Sequence, residues 1–235
     1  MVFASDSRTN AGVDHVSSFR KMTTYERPGD RVIVILSSGN LSVTQNAVTL
    51  LESRARPGEA APNIWNAQSM YEVATLLGDA LREIMRRDTP YLTQNNIDAN
   101  ANFILGGQLR GERQRLFMLY QEGNFIEATP ETPFFQVGET KYGKPIIDRV
   151  VNPTTTLVDA TKCVLVSFDS TMRSNVSVGL PIDLVIYGKD ELRIQLQRRI
   201  TEADPYFAMI HRRWGEGLRR VFAQLPDPHW EDVGQ

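Results

Sequence analysis

An aspartate and a lysine fifteen positions apart, Asp6 and Lys21, bracket a polar turn, Ser7-Arg8-Thr9-Asn10, near the front of the chain. If two adjacent strands bring them together, the carboxylate keeps the lysine charged, because an ammonium among apolar strands otherwise loses its proton. A fixed cation of that kind can stand beside a nucleophile. The same residues also read as a surface turn with an incidental ion pair. Ser37-Ser38-Gly39 closes an apolar run just ahead of a helix. Glycine there lets a carbonyl approach a backbone N–H, as in an oxyanion hole; an ordinary strand-to-helix turn is the alternative. Ser177, in Arg173-Ser174-Asn175-Val176-Ser177, sits between a helix and a strand. It can orient an amine or relay a proton, or simply help to end the helix. Gly106-Gly107 lacks the spacing of a dinucleotide loop and reads as a hairpin feature.

Other chemistries are excluded. The histidines, His15, His211 and His229, are scattered and the single Cys163 falls on the apolar side of a helix, so no Cys/His metal set can be assembled and no cofactor is implied. Gly-x-Ser-x-Gly is absent, which disfavours a hydrolase triad. Of 26 basic residues only five are lysine, and acids are interspersed among the arginines, so no basic stripe for nucleic acid exists. No apolar run approaches the roughly 18 to 20 residues of a bilayer span, and the first residues, MVFASDSRTN, lack a basic start followed by an apolar stretch. These features, with one unpaired cysteine, predict a cytoplasmic protein. With 41% apolar and 23% charged residues the chain has the means to bury a core, which rules out disorder.

The elements that must position Asp6, Lys21, Gly39 and Ser177 follow from the hydrophobic period. VFASDSR and SSFRKMTTYE read as strands, with Phe19 and Lys21 on one face. Val32 to Leu36 is short, β-branched and continuous, the pattern of a strand covered on both faces. Helical spacing then predicts Ser42 to Ala55 and Ala67 to Arg87. ANFILGGQL, QRLFMLYQ, NFIEAT and PFFQVG are four strand candidates for an antiparallel meander. A helix capped by Thr154 carries Leu157, Ala160, Val164, Leu165 and Phe168; VGLPIDLVIY is a further strand, and Tyr206 to Ala223 a last helix. Strands and helices in alternating runs point to a layered α+β domain, either two sheets between two helix layers or a two-layer sandwich. No repeat and no break in composition divides residues 1–235, which read as one domain.

VFASDSRTNAG followed by FRKM, then VILSSGN, resembles the N-terminal part of a proteasome β-type subunit, with wording most similar to the bacterial Anbu branch. FILGGQL with RLFMLYQEGNFIEA, FFQVGETKYGKPIIDR and RSNVSVGLPIDLVIY correspond to later elements, so the likeness covers nearly the whole chain. It implies an N-terminal-nucleophile hydrolase with a four-layer αββα sandwich, acting on peptides or unfolded protein as a self-compartmentalising homo-oligomer. In that family a terminal threonine hydroxyl attacks the carbonyl, and its own α-amine, with an ordinary pKa near 8, takes the proton. By this likeness Asp6 holds Lys21 beside the nucleophile, Gly39 supplies the oxyanion donor and Ser177 assists around the amine. Thr9, Asn10, Phe19, Ser37 and Leu41 line the cleft, the stretch at Thr9 and Asn10 pairing with substrate as an added strand.

Three departures shape the expectation. The family's first strand, headed by the threonine, should precede Val2, whereas the sequence opens at Met1; residues 1–235 as written are therefore expected to be inactive and a natural start is expected upstream. The Gly-Ser-Gly turn of proteasome subunits stands as Gly138-Glu139-Thr140. Their aspartate near the final serine stands as Ser174, with Asp169 a helical turn earlier as a replacement. A non-catalytic ring subunit and a small-molecule amidase are the competing readings. Arginine-rich helices with few lysines suit contacts between copies, since arginine forms bidentate interface pairs.

Overall fold

The computed structural model describes residues 1–10, 16–55 and 61–228. Among them the first strands are β1 (Val2–Asp6), β2 (Arg8–Asn10), β3 (Val16–Ser18), β4 (Met22–Arg27) and β5 (Arg31–Gly39). Helices α1 (Leu41–Ser53) and α2 (Met70–Gln94) lead to β6 (Ala101–Leu109), β7 (Arg115–Leu119) and β8 (Phe125–Glu127). Helices α3 (Lys144–Val150) and α4 (Leu157–Ser174), strands β9 (Ile182–Ile186) and β10 (Leu196–Ile200), and helix α5 (Pro205–Ala223) complete the order. β4 to β8 form an antiparallel sheet in sequence order, β1, β9 and β10 form a second sheet in that order, and β2 pairs with β3 as a hairpin.

Alternation of side chains along the strands builds the layers. From one face of the five-stranded sheet, Ile33, Ile35, Phe103 and Leu105 project onto Val43, Leu51, Leu77 and Leu81 of α1 and α2. From the other face, Val32, Val34, Leu36 and Ile104 meet Phe3, Val185 and Tyr187 of the three-stranded sheet. The outer face of that second sheet, Ile182, Leu184 and Ile200, packs on Leu165 of α4 and on Phe207 and Ile210 of α5. The order is helix, sheet, sheet, helix, so the fold is the α+β αββα sandwich and the two-layer alternative is excluded. None of the helices among the described residues is long and apolar enough to cross a membrane.

Several local expectations are corrected. SSFRKMTTYE is not one strand: β3 ends at Ser18 and β4 begins at Met22, with Phe19 to Lys21 between them. PFFQVG does not join the meander, which stops at β8. Phe135 and Val137 instead turn onto the core between the sheets. Gly106-Gly107 lies inside β6, not at a hairpin, because the backbones pass too closely there for a side chain. A Cβ at Gly107 would collide with the Val32 carbonyl, and one at Gly106 would sit 2.7 Å from the Phe3 ring of the other sheet. α4 is capped by Thr156, whose hydroxyl accepts the Asp159 N–H at 3.1 Å, rather than by Thr154. α2 runs past Arg87 and through Pro90, because Leu92 packs back on the core and holds the last turn.

Candidate active site

Asp6 is the last residue of β1 and Lys21 immediately precedes β4, so the two stand at the ends of strands that belong to different sheets rather than on adjacent strands. They meet where the sheets converge: Lys21 Nζ donates to Asp6 Oδ1 at 2.8 Å. Both side chains are largely covered, 22% and 11% exposed, and the second Asp6 oxygen accepts the Arg8 N–H at 3.1 Å. Lys21 is further fixed through its backbone, since its carbonyl accepts the Ser37 N–H at 2.8 Å and the Ser37 hydroxyl at 3.4 Å. The link between the sheets is tied at Phe19, whose N–H reaches the Ser7 carbonyl at 2.8 Å.

Gly39 ends β5 with φ +106°, and a Cβ there would collide with the Asn100 carbonyl, so glycine is required. The chain then turns directly into α1, where the Asn40 side chain accepts the Ser42 and Val43 N–H groups at 3.0 and 3.3 Å. On the opposite wall Ser177 donates both its N–H and its hydroxyl to Asn175 Oδ1, at 2.8 and 2.6 Å. Asn175 Nδ2 in turn donates to Glu139 at 2.7 Å. The Lys141 N–H and then the Asn175 amide hold the Glu139 carboxyl below the ordinary carboxylate range.

Asp6, Lys21, Ser37, Gly39, Leu41 and Ser177 all open on one groove of about 810 Å³. It runs along β1, which among the described residues has a hydrogen-bonded neighbour, β9, on one side only. Among the described residues the buried side-chain atoms without a hydrogen-bond partner are Ser5 Oγ, Gln114 Nε2 and Gln136 Oε1, and all three residues belong to the walls of this groove. Buried polar atoms are nearly always paired. Three orphans and an unpaired strand edge leave this groove with polar groups open to hydrogen bonding.

A scan against models of protein families finds no match, and neither does a search of curated proteins. Among solved structures, Anbu (ancestral beta-subunit) from Yersinia bercovieri is 54% identical over 97% of this chain and 95% of that one, with a TM-score of 0.91. The chain belongs to the Anbu family, a branch of the proteasome-like proteins. Anbu from Hyphomicrobium sp. strain MC1 is 47% identical over 97% and 95% of the two chains, with a TM-score of 0.88. A helical assembly of the Anbu complex from Pseudomonas aeruginosa contains a chain 46% identical over 97% and 93%, with a TM-score of 0.91.

In this Anbu chain the remaining expected residues divide. Phe19 is 38% exposed and stands outside the groove walls. The backbones of Thr9 and Asn10 pair with Ser17 and Val16 in the β2/β3 hairpin; their side chains, and His15 and His229, lie outside the described residues. Asp169 is not the replacement acid, because it faces α5, where its Oδ1 meets His211 Nδ1 at 2.6 Å. Reasoning from sequence missed the link from Glu139 through Asn175 to Ser177. The Asn-x-Ser spacing, in which an asparagine side chain accepts from the residue two positions on, carries that signal. Among the described residues no three His, Cys, Asp or Glu side chains gather as a metal set.

Proposed function

We propose that this chain is a threonine-type hydrolase subunit of a cytoplasmic homo-oligomer, cleaving peptide or unfolded-protein amide bonds through a terminal threonine carried on a strand beside β1. The observation that carries the reading is the buried Asp6–Lys21 pair, 2.8 Å long, at the head of a groove along the free edge of β1. A structural sandwich has no need of a covered ammonium at the rim of a channel, since a buried ion pair is weak evidence for stability. A strand pairing with that edge satisfies the β1 backbone and gives the orphaned groups at Ser5, Gln114 and Gln136 partners.

The chemistry then follows from the walls. The hydroxyl attacks the carbonyl carbon as the α-amine accepts its proton, and Lys21 stabilises the oxygen as it loses that proton. Charge moves to the carbonyl oxygen, which the backbone at Gly39 receives. Collapse expels the amine, protonated by the α-ammonium, and water releases the acyl group by the reverse steps. Asp6 keeps Lys21 charged and aimed. Substrate extends along the β2/β3 hairpin at Thr9 and Asn10, with Ser37 and Leu41 beneath its side chain. Assembly is supported by α5, whose second half leaves Leu218, Val221 and Phe222 at least 54% exposed in a helical stripe.

The test is a threonine-headed chain extended by one strand before Val2, challenged with a peptide epoxyketone and a fluorogenic peptide library. Labelling of the terminal threonine, lost in Lys21→Ala, is the expected result. An intact oligomer that neither labels nor cleaves would replace this reading with that of an assembly subunit.

A further inference from the structure

We propose that Glu139 and Asn175 form a positioning relay that locks the Ser177 hydroxyl as a hydrogen-bond acceptor toward the groove. The inference deepens the hydrolase reading and rests on it for its role in turnover. A carboxylate has no donor, so Glu139 admits only one orientation of the Asn175 amide, with Nδ2 toward it at 2.7 Å. Oδ1 must then face Ser177, where it takes the backbone N–H at 2.8 Å and the hydroxyl proton at 2.6 Å. A hydroxyl has a single proton. Once that proton is committed to Asn175, Ser177 offers the groove only lone pairs, and these select an N–H donor such as an ammonium.

Glu139 is itself held for the task. Its first carboxylate oxygen accepts the Lys141 N–H at 2.9 Å, and the turn into it uses Gly138 at φ +83°. The other acids near this wall are committed: Asp6 to Lys21 and Asp169 to His211 on α5. Ser174 occupies the place where proteasome subunits carry an aspartate, so the negative charge behind Ser177 arrives from a different segment, one residue further removed.

The donor and acceptor order along Glu139, Asn175 and Ser177 can be reversed by substitution. In Glu139→Gln one of the two acceptor oxygens becomes an NH2, so the side chain can serve the Lys141 N–H or the Asn175 amide but not both, and with Asn175 no longer held from behind Ser177 loses its fixed role. In Asn175→Asp two carboxylates face each other and separate. In the double variant Glu139→Gln/Asn175→Asp the glutamine donates to the aspartate, which again accepts from Ser177, so the charge moves one residue along and the order is restored. Crystal structures of the three variants, with peptide hydrolysis by the threonine-headed chain, read the outcome. Each single variant should move Ser177 Oγ away from residue 175 and lower kcat by about tenfold, the scale of one lost hydrogen bond, with KM little changed. The double variant should return Oγ to residue 175 and recover most of kcat.

The proposal is overturned if Ser177 stays in place in both single variants or if the double variant is no better than the worse single. It is equally overturned if rate losses merely track melting temperature. A parent chain that cleaves nothing removes the hydrolase reading, and the crystal structures alone then decide the relay.

Discussion

The two helix-and-sheet halves of the molecule are packed to different standards. On the side of α1 and α2, Val43, Leu51, Leu77 and Leu81 are at most 1% exposed against Ile33, Ile35 and Phe103. On the side of α3, α4 and α5, Val164 and Phe168 are half-buried walls of the 810 Å³ groove, and α5 anchors itself with only Phe207 and Ile210 fully covered. Interiors are normally filled to crystal density. The half built on α1 and α2 is therefore a scaffold closed behind its sheet, whereas volume and unpaired polar atoms open between that sheet and the α3 and α4 side. The proposed catalytic pair stands at the seam, with Asp6 at the end of β1 and Lys21 just ahead of β4.

The division predicts that damage at the seam appears in turnover and damage in the scaffold appears in stability. Lys21→Ala in a threonine-headed chain should reduce kcat/KM by about 10² to 10³-fold, the usual loss when one electrostatic stabiliser is removed from a site. Some stability is lost as well, because a largely covered Asp6 is left with the Arg8 N–H alone, so turnover is compared at equal folded fraction. A large fall in stability with unchanged turnover would assign the pair to the scaffold. Within the scaffold, Leu77→Ala should cost about 2 to 5 kcal/mol by denaturant unfolding, since its surroundings are closed and a cavity remains. Val164→Ala, on the groove wall, should cost less than about 1 kcal/mol, because the removed methyl groups already face open volume. Equal costs would mean that the groove closes in solution.

Ser5 sharpens the contrast through a change of sign. In residues 1–235 its hydroxyl is buried without a partner, so Ser5→Ala should be neutral or slightly stabilising, by up to about 1 kcal/mol. With a strand seated against β1 the hydroxyl gains a partner, and the same substitution should cost about 1 kcal/mol. Urea unfolding of the two chain lengths with and without Ser5→Ala measures the reversal. The same sign in both would show that the strand does not lie where the orphaned atoms are.

What the sequence reveals follows from which signals are local. Val32 to Leu36 announced a doubly covered strand, and all five are buried, because covering both faces leaves no polar position in the run. The Asp6 and Lys21 pairing was legible from residue type, yet the reason was not, since no local signal says that β1 and β4 enter different sheets. FFQVG has the composition of a strand and is not one: Phe135 and Val137 pack on the core between the sheets while their backbone joins no ladder. β10 was missed because LQRRI is exposed along most of its length and shows little apolar alternation. Glu139 and Asn175 are 36 positions apart, and only the fold brings them together.

The smallest expected effect concerns how α5 is held to the looser half. Asp204 caps that helix, accepting the Tyr206 and Phe207 N–H groups at 3.0 Å each, and pairs with Arg198 at 2.6 Å. Burial favours its neutral form, but the Phe207 N–H, Arg198 and the Tyr206 N–H outweigh burial and set its pKa below the ordinary aspartate value. A carboxyl depressed in the folded state contributes stability that is complete above its unfolded pKa and is lost as pH falls through the folded one. Asp204→Asn keeps an oxygen for the cap and loses only the attraction to a largely exposed arginine, so at neutral pH it should cost a few tenths of a kcal/mol. On acidification the wild-type carboxyl protonates while the amide does not change, so the two chains should converge in melting temperature below the ordinary aspartate range. If the gap instead persists into acid, the asparagine has failed as a cap, and α5 is anchored by the geometry at its first turn rather than by charge.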